Sequence, residues 1–491
     1  MKTCLRLANP VIVISIAFLF AFFFSAIVHS RAVFDQQPKG GTQSTSELLA
    51  PGRLVEKELA GGGSHFYRIA LAKDQFLKLA VEQRGIDVTL RWFDSAGKEI
   101  AEINTMNGVS GEESIKYVAD AAGDYRLEVK ATEEKAMAAS YQLKLVELRT
   151  AIEADKAQSQ VLTLMAETLR ARGKGKNDDA IASAAKALAI QEKLSDTDEA
   201  DLANSLNTLG SLYQDKGDYA RAEPLLQRAL ALWEKSLGAE HPNVAIALTN
   251  LGILYHVKRD FTRAEPLFLR ALAIREKSLG ANHSEVAQAL NNLAVMNHMR
   301  ANFSQAEQFY QRSLEIREKT LAPDHPDLGQ SFSSLATLYR DRGDYTRAEP
   351  LFKRALALRE KALGPDHPSV ATTLNALAVL YRAKGDYDQA EPLFRRSLAL
   401  REKALGPNHP DLALSLSSLG NMHYLKGDYL SAESMYQRTL AIQEKAYGQN
   451  HPNVAITINN LAAIYRDKGD YEKAVTMFQR AMEIREKTLP P

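Results

Sequence analysis

Apolar positions recur at a spacing of 42 residues through residues 201–491, without insertion or deletion. Each of seven units carries an anchor leucine, an aromatic residue ten positions later and an alanine thirteen positions after the anchor. The anchors are Leu209, Leu251, Leu293, Leu335, Leu377, Leu419 and Leu461. A fixed period of this length is typical of a solenoid, so each unit is expected to bury its apolar face against its neighbours.

Within one unit the apolar positions follow a helical period twice. In the second unit they predict a helix A over residues 242–257 and a helix B over residues 261–278. Pro242 suits the first turn of helix A, and Asp260 suits the capping position of helix B. Residues 149–200 carry a weaker version of the same pattern. They predict a degenerate first repeat, as expected at the end of a solenoid.

Residues 50–148 carry a different pattern, in which apolar and polar residues alternate. Leu77, Leu79 and Val81 alternate with polar or small residues, and similar runs follow, separated by turns rich in Gly, Asp and Ser. This period of two predicts about eight strands in a small antiparallel β-sandwich. The polar residues 33–49, rich in Gln, Gly, Ser and Thr, predict a flexible linker before the sandwich.

The N-terminus carries an uncharged apolar segment at residues 11–28, which follows Lys2 and Arg6. Its length lies between that of a signal-peptide core and that of a membrane-spanning helix. Residues 1–32 are therefore expected to be either a signal peptide, cleaved after Ala32, or an N-terminal membrane anchor. In both cases the preceding positive charges place the rest of the chain outside the cytoplasm: periplasmic, secreted or held at the membrane.

Composition excludes several classes of function. Lys and Arg number 61 and Asp and Glu 60, a net charge of +1, so no basic field indicates nucleic-acid binding. The single cysteine, Cys4, excludes a structural disulfide and a cysteine-based zinc site. We find no nucleophile elbow and no Gly-rich phosphate loop, and we expect neither an enzyme nor a bound metal or cofactor. Asp87 and Asp124 are calcium candidates, although solvated turn carboxylates are the simpler interpretation.

Two polar columns repeat with the units and are interpreted as structural. The histidines precede helix A, and because neighbouring units stack about 10 Å apart they cannot share a zinc ion with ligand bonds of about 2 Å. A hydrogen bond at the helix start is expected instead. The arginines on helix B are expected to bridge neighbouring units or to pair with Glu. The histidines are His241, His283, His325, His367, His409 and His451. The arginines are Arg228, Arg270, Arg312, Arg354, Arg396, Arg438 and Arg480.

The 42-residue unit and its Leu-Gly-x-x-His-Pro connection, as in residues 237–242 and 363–368, resemble the tetratricopeptide repeats of the kinesin-light-chain type. This resemblance implies an all-α right-handed superhelical solenoid whose A helices line a concave groove that binds polypeptide. The strand region resembles the bacterial pre-peptidase C-terminal domain in its runs at residues 66–69, 93–97 and 122–129. That resemblance implies a non-catalytic accessory module of an exported protein.

Two columns on helix A are the candidate binding residues, if the geometry of the family holds. The first lies two positions before the anchor, where asparagines of tetratricopeptide modules hold peptide backbones; the alternative is that these side chains cap helices or pair between them. The second lies five positions after the anchor, where arginine forks suit an acidic segment or a free C-terminus. The first column is Asn207, Thr249, Asn291, Ser333, Asn375, Ser417 and Asn459. From the second we select His256, His298, Arg340, Arg382 and Arg466.

The expected function is that of an exported scaffold that binds a polypeptide segment in the groove. Two alternatives remain open: a regulatory subunit of an exported protease or other enzyme, and a cell-surface sugar- or matrix-binding protein acting through residues 50–148. Membrane contact is expected if the signal is not cleaved. The last helix B presents Phe478, Met482 and Ile484 with no polar capping helix after it, so a homodimer through the C-terminal repeat, or fraying, is expected.

Overall fold

In a computed structural model of the chain, residues 46–104, 110–132, 137–194 and 197–488 are described. They form nine strands followed by sixteen helices. The chain divides into two compact units, a first unit Met1–Leu321 and a second unit Ala322–Pro491. The predicted order of a β-sandwich followed by a helical solenoid is confirmed.

The strands alternate buried and exposed side chains, which is the pattern that a two-layer sandwich requires. One sheet has five strands in the order β1-β3-β8-β5-β6, and the other has four in the order β2-β9-β4-β7. Between the sheets, the rings of Trp92 and Tyr125 stack with centroids 5.7 Å apart. The strands are β1 (Glu47–Leu48), β2 (Leu54–Leu59), β3 (Ser64–Leu71), β4 (Gln75–Arg84), β5 (Val88–Phe93), β6 (Glu99–Ile103), β7 (Ser110–Val118), β8 (Gly123–Ala131) and β9 (Ala139–Thr150).

The sandwich is larger than the expected residues 50–148, because its strands extend from Glu47 to Thr150. Strand β1 lies within the predicted linker, and that prediction is wrong for its two residues. β1 pairs in parallel with β3, whereas the other strand pairs are antiparallel. The Glu47 carboxylate accepts a hydrogen bond at 2.6 Å from Lys57, which lies in β2 of the other sheet, so this bond links the two sheets. Residues 33–45 lie outside the described residues.

The first helix, α1 (Glu153–Gly173), packs on the sandwich within the first unit. Ser159 Oγ accepts a hydrogen bond from the backbone N–H of Val118 at 3.0 Å, and Arg170 donates to the carbonyl of Glu99 at 2.6 Å. Ala166 belongs to the same apolar core as the strands. The degenerate repeat therefore connects the two architectures through direct contacts.

The helices alternate between A and B types, and the limits predicted for residues 242–257 agree with α5. The A helices are α1, α3 (Glu199–Asp215), α5 (Pro242–Val257), α7 (Ser284–Met299), α9 (Pro326–Asp341), α11 (Pro368–Ala383), α13 (Leu412–Leu425) and α15 (Pro452–Asp467). The B helices are α2 (Asn177–Gln191), α4 (Tyr219–Leu237), α6 (Phe261–Leu279), α8 (Phe303–Thr320), α10 (Tyr345–Leu363), α12 (Tyr387–Leu405), α14 (Tyr429–Tyr447) and α16 (Tyr471–Thr488).

The expected structural role of the histidine column is confirmed. His241 Nδ1 accepts a hydrogen bond from the backbone N–H of Asn243 at 3.2 Å, and the other five histidines repeat this bond at 3.2–3.3 Å. Helix B begins with a similar cap, because Asp260 accepts from the backbone N–H of Arg263 at 3.1 Å. These caps satisfy N–H groups that have no partner inside the helix.

The arginine column joins neighbouring B helices, as expected. Arg270 pairs with Glu234 of the preceding repeat at 2.6 Å, and Arg396 pairs with Glu360 in the same way at 2.6 Å. The alanine thirteen positions after each anchor is buried in every repeat. The fold is thus built from contacts between each repeat and its neighbours.

The carboxylate of Glu349, on the B helix α10, accepts hydrogen bonds from the A helix of the following repeat. Glu349 accepts hydrogen bonds from Lys353 of its own helix at 2.8 Å, and from Tyr381 at 2.9 Å and Lys384 at 2.7 Å at the end of α11. The bonds from Lys353 and then Lys384 lower the pKa of Glu349 from 4.5 to about 2. A carboxyl group with a lowered pKa stabilises the folded state fully above its unfolded value, and this contribution is lost as the pH falls.

We therefore expect the free energy of unfolding of the second unit to fall as the pH decreases from about 4.5 to about 2. Glu349→Gln should remove part of this fall, because the amide does not titrate. Urea unfolding at a series of pH values measures the effect. Glu472→Gln, at the exposed start of α16, is the control. An identical pH dependence in wild type and Glu349→Gln would contradict the prediction.

Candidate functional site

The two candidate columns lie seven residues apart on each A helix. Seven residues are about two helical turns, so both columns lie on one side of the helix. We call this side the A-helix face and describe it for each unit by itself. In the first unit it is carried by α3, α5 and α7, and in the second unit by α9, α11, α13 and α15.

In the first unit the polar side chains two positions before the anchor bond largely within the chain. Asn250 of α5 donates through Nδ2 to Asn207 Oδ1 of α3 at 2.8 Å. Thr249 donates to the carbonyl of Ala245 at 2.7 Å. Asn291 is half-buried. For Asn207 the structure therefore supports the alternative of pairing between helices.

The two candidate histidines of the first unit are buried. His256 is 2% exposed and His298 is 5% exposed. Each ring lies edge-on to the first residue of the following helix, Phe261 at 5.7 Å and Phe303 at 5.8 Å between centroids. Burial, with the charge of Arg259, lowers the pKa of His256 to about 4. At neutral pH the His256 imidazole is therefore uncharged.

In the second unit, the column two positions before the anchor contains buried polar atoms that lack a hydrogen-bond partner among the described residues. Ser333 is 1% exposed and Asn375 is 3% exposed. Within the part of the chain that the structure describes, Ser333 Oγ and Asn375 Oδ1 have no hydrogen-bond partner. Ser417 and Asn459 are half-buried. Because buried polar atoms are normally paired, Ser333 and Asn375 mark the A-helix face of this unit as a candidate binding surface.

The three candidate arginines of the second unit are not equivalent. Arg340 donates through Nε to Asp341 Oδ1 at 2.8 Å and lies 2.7 Å from it through Nη2. Arg466 donates to Asp467 at 2.7 Å. Arg382 is half-buried, and its guanidinium makes no ion pair or hydrogen bond with any described residue. Burial, and next the charge of Arg340, lower the pKa of Arg382.

The sequence analysis missed a third column, whose residues determine which of these arginines is already paired with a carboxylate. It lies six positions after the anchor and contains Asp341, Ala383 and Asp467 next to the three arginines. The sequence contains this signal, but its meaning depends on each aspartate reaching the neighbouring guanidinium. Asn250 was also missed, because its bond to Asn207 depends on which side chains folding brings together.

The described residues hold no group of three His, Cys, Asp or Glu side chains that could bind a metal ion. In the sandwich, the calcium candidate Asp124 lies 3.5 Å from the guanidinium of Arg68. No helix within the described ranges is long and apolar enough to cross a membrane. The apolar residues 11–28 lie outside those ranges.

Comparison with known proteins identifies the family. The family profile described as "Tetratricopeptide repeat" matches residues 201–277, 255–319, 285–361, 327–403, 378–445 and 411–487. Together these matches cover residues 201–487, more than half of the 491 residues. The chain belongs to the tetratricopeptide repeat family, whose repeats are scaffolds for protein–protein interaction.

Solved structures of repeat proteins are similar to this chain. One is a structure of nearly identical TPR-like repeats of a kinesin light chain from Podosopora anserina. Its sequence is 25% identical to this chain, the TM-score is 0.38, and the alignment covers 43% of this chain and 99% of that structure. BtubC (BKLC) from P. vanneervenii is 24% identical to this chain, with a TM-score of 0.39, and the alignment covers 50% of this chain and 94% of BtubC. A Rap protein complexed with Competence and Sporulation Factor is 15% identical to this chain, with a TM-score of 0.47, and the alignment covers 69% of this chain and 88% of the Rap protein. The curated proteins yield no match. The resemblance of the sandwich to the pre-peptidase C-terminal domain stays a prediction.

Proposed function

We propose that this protein is an exported, non-catalytic scaffold that binds an extended polypeptide segment in a concave groove formed by its A helices. The observation that carries the proposal is the pair of buried polar atoms without partners among the described residues, Ser333 Oγ and Asn375 Oδ1, on the A-helix face of the second unit. An extended polypeptide has backbone N–H and C=O groups free at regular intervals. Because both atoms have almost no exposed surface, binding requires each side chain to change rotamer, and the polypeptide backbone then supplies the bonds that Ser333 and Asn375 lack.

The finer features of the proposal rest on the sequence. Arg340, Arg382 and Arg466 favour a ligand with an acidic segment or a free C-terminus. The apolar residues 11–28, behind two positive charges, support export, with membrane contact if the segment is not cleaved. The C-terminal repeat supports a homodimer through Val475 and Met482, which are exposed on α16, whereas the expected Ile484 is 3% exposed and Phe478 is half-buried.

The test is affinity capture from the envelope of the exporting cell with wild type and two double variants. Ser333→Ala with Asn375→Ala removes the two unsatisfied side chains. Asn408→Ala with Asn450→Ala removes two exposed amides from the connections between repeats and is the matched control. Two hydrogen bonds at about 1 kcal/mol each correspond to a loss of affinity of about 30-fold. We expect a polypeptide held by wild type and control and lost from the first variant.

Equal capture by all three proteins would contradict the proposal that the A-helix face is the binding surface. A captured enzyme whose activity changes on binding would favour the alternative of a regulatory subunit. The sugar-binding alternative is not favoured by the outer surface of the five-stranded sheet. There Phe93 is only 7% exposed, because Arg126 and Arg91 lie over its ring at 4.4 Å and 5.3 Å. A sugar therefore has no open aromatic face to stack on at this position.

A further inference from the structure

We infer that Arg382 is the arginine of the A-helix face that takes its counter-ion from the bound polypeptide, and that this polypeptide places a carboxylate there. The inference rests on the proposed function and deepens it. It assigns the acidic contact to one residue in the fifth repeat instead of sharing it among three arginines of the second unit.

The contrast between the three arginines carries the first step. Arg340 and Arg466 are each followed by an aspartate, and each guanidinium bonds to that aspartate at 2.8 Å or less. Arg382 is followed by Ala383, which has no acceptor in its side chain. Because a guanidinium already held by a carboxylate has fewer donors left for a ligand, Arg340 and Arg466 are weaker candidates than Arg382.

The surroundings of Arg382 supply the second step. The ionisable side chains that act on it are Arg340, Tyr436 and Tyr387, and none of them is a carboxylate. The Tyr436 hydroxyl donates to Asn421 Oδ1 at 2.6 Å, so its proton is already engaged. A half-buried guanidinium is partly desolvated, and without an anion nothing in the fold compensates for the lost contact with water. A ligand carboxylate recovers part of this loss, and the planar fork of arginine matches its two oxygens.

Local charge decides between a carboxylate and a phosphate. Arg340 is neutralised by Asp341, so the pair Arg340 and Arg382 presents one uncompensated positive charge. One charge suits a carboxylate, whereas a phosphate group carries nearly two negative charges at neutral pH. The carboxylate has two sources in a polypeptide, an Asp or Glu side chain and the C-terminal α-carboxylate. The experiment separates them.

The experiment uses the full chain and two pools of random ten-residue peptides, one ending in a free carboxylate and the other in a carboxamide. Bound peptides are eluted and their composition is determined for wild type, Arg382→Gln and Ala383→Asp. Ala383→Asp leaves the arginine in place but supplies the aspartate found in the fourth and seventh repeats; residue 383 is exposed, so the fold tolerates the change. Arg395→Gln on α12 is the control, because that arginine is exposed and pairs with Glu391.

Wild type and Arg395→Gln are expected to enrich peptides that supply a carboxylate, either from Asp or Glu or from a free C-terminus, and both other variants to lose that enrichment about tenfold. Enrichment of Asp and Glu in both pools assigns the carboxylate to a side chain, and binding from the free-carboxylate pool alone assigns it to the C-terminus. Equal binding from the two pools without enrichment of Asp or Glu would overturn the inference and leave the proposed function standing. A preference for either kind of carboxylate that survives Arg382→Gln would also overturn it. If wild type binds neither pool, the proposed function itself fails.

Discussion

Arg359→Met is expected to lower the free energy of unfolding of the second unit by about 2–4 kcal/mol. Arg359 lies in α10, is buried, and donates to Gln330 Oε1 of α9 at 2.5 Å, to Thr373 Oγ1 of α11 at 2.5 Å and to the carbonyl of Ser369 at 3.3 Å. One side chain thus joins the A helices of two successive repeats. Methionine fills a similar volume but cannot donate, so Gln330 Oε1 and Thr373 Oγ1 lose this donor, whereas the Ser369 carbonyl keeps its bond from Thr373 Oγ1 at 3.2 Å.

Arg275→Met is the matched control for this prediction, because Arg275 occupies the same repeat position in α6. It is equally buried, but among the described residues its Nε and Nη1 have no hydrogen-bond partner, and its nearest carboxylate, Glu285, is 3.5 Å away. Replacing a poorly paired buried charge by an apolar side chain of similar volume is often neutral or stabilising. Urea unfolding, with hydrogen exchange to localise the change, should therefore separate the two variants. Equal destabilisation by both would show that burial, not hydrogen bonding, determines the role of an arginine at this repeat position.

Ala348→Leu is expected to lower the free energy of unfolding by about 1–3 kcal/mol. Ala348 is fully buried where α10 lies against its partner helix, and the same position is an alanine in all seven repeats. A leucine there has no space without displacing side chains or separating the helices. Urea unfolding measures the loss.

Ala357→Leu on the same helix is the control, because residue 357 is exposed and leucine is almost as good a helix former as alanine. The control is expected to change the free energy of unfolding by no more than about 0.5 kcal/mol. If Ala348→Leu proved as stable as Ala357→Leu, the alanine column would not be what sets the distance between the helices.

The limits of the helices could be predicted closely because their causes are local. The helix A expected over residues 242–257 begins at a proline and agrees with α5, and the helix B expected over residues 261–278 is one residue longer in α6. The caps were identifiable because His241 and Asp260 bond to backbone groups only two or three residues away. Such bonds depend on short segments, which a single sequence contains in full.

The sequence predicted a β-sandwich and its central strands, but it did not predict the edge strand β1. Alternating apolar residues identified the central strands, because burial on one face requires a period of two. Strand β1 has only two residues and no such period. It is a strand because its backbone pairs with β3, with Glu47 opposite Tyr67, and these residues are twenty positions apart in the chain and come close only in the folded protein.

The candidate site shows the same limit. Period and family resemblance located the two columns on helix A, but they did not distinguish residues within a column. Asn207 bonds to another repeat, His256 is buried against an aromatic ring, and Asn375 keeps an atom without a partner among the described residues. Each difference depends on which side chains folding brings into contact, and for Asn207 that side chain lies in the next repeat.

The sequence by itself determined that this protein is a repeat solenoid, because the 42-residue period gives every unit the same apolar face and the same two neighbours. It also determined the helix caps and the balance of charge. Only the tertiary structure decided which polar groups are already satisfied. Hydrogen bonds and ion pairs act over a few ångströms, so whether Arg340 or Arg382 is available to a ligand depends on the side chains that folding brings beside each guanidinium.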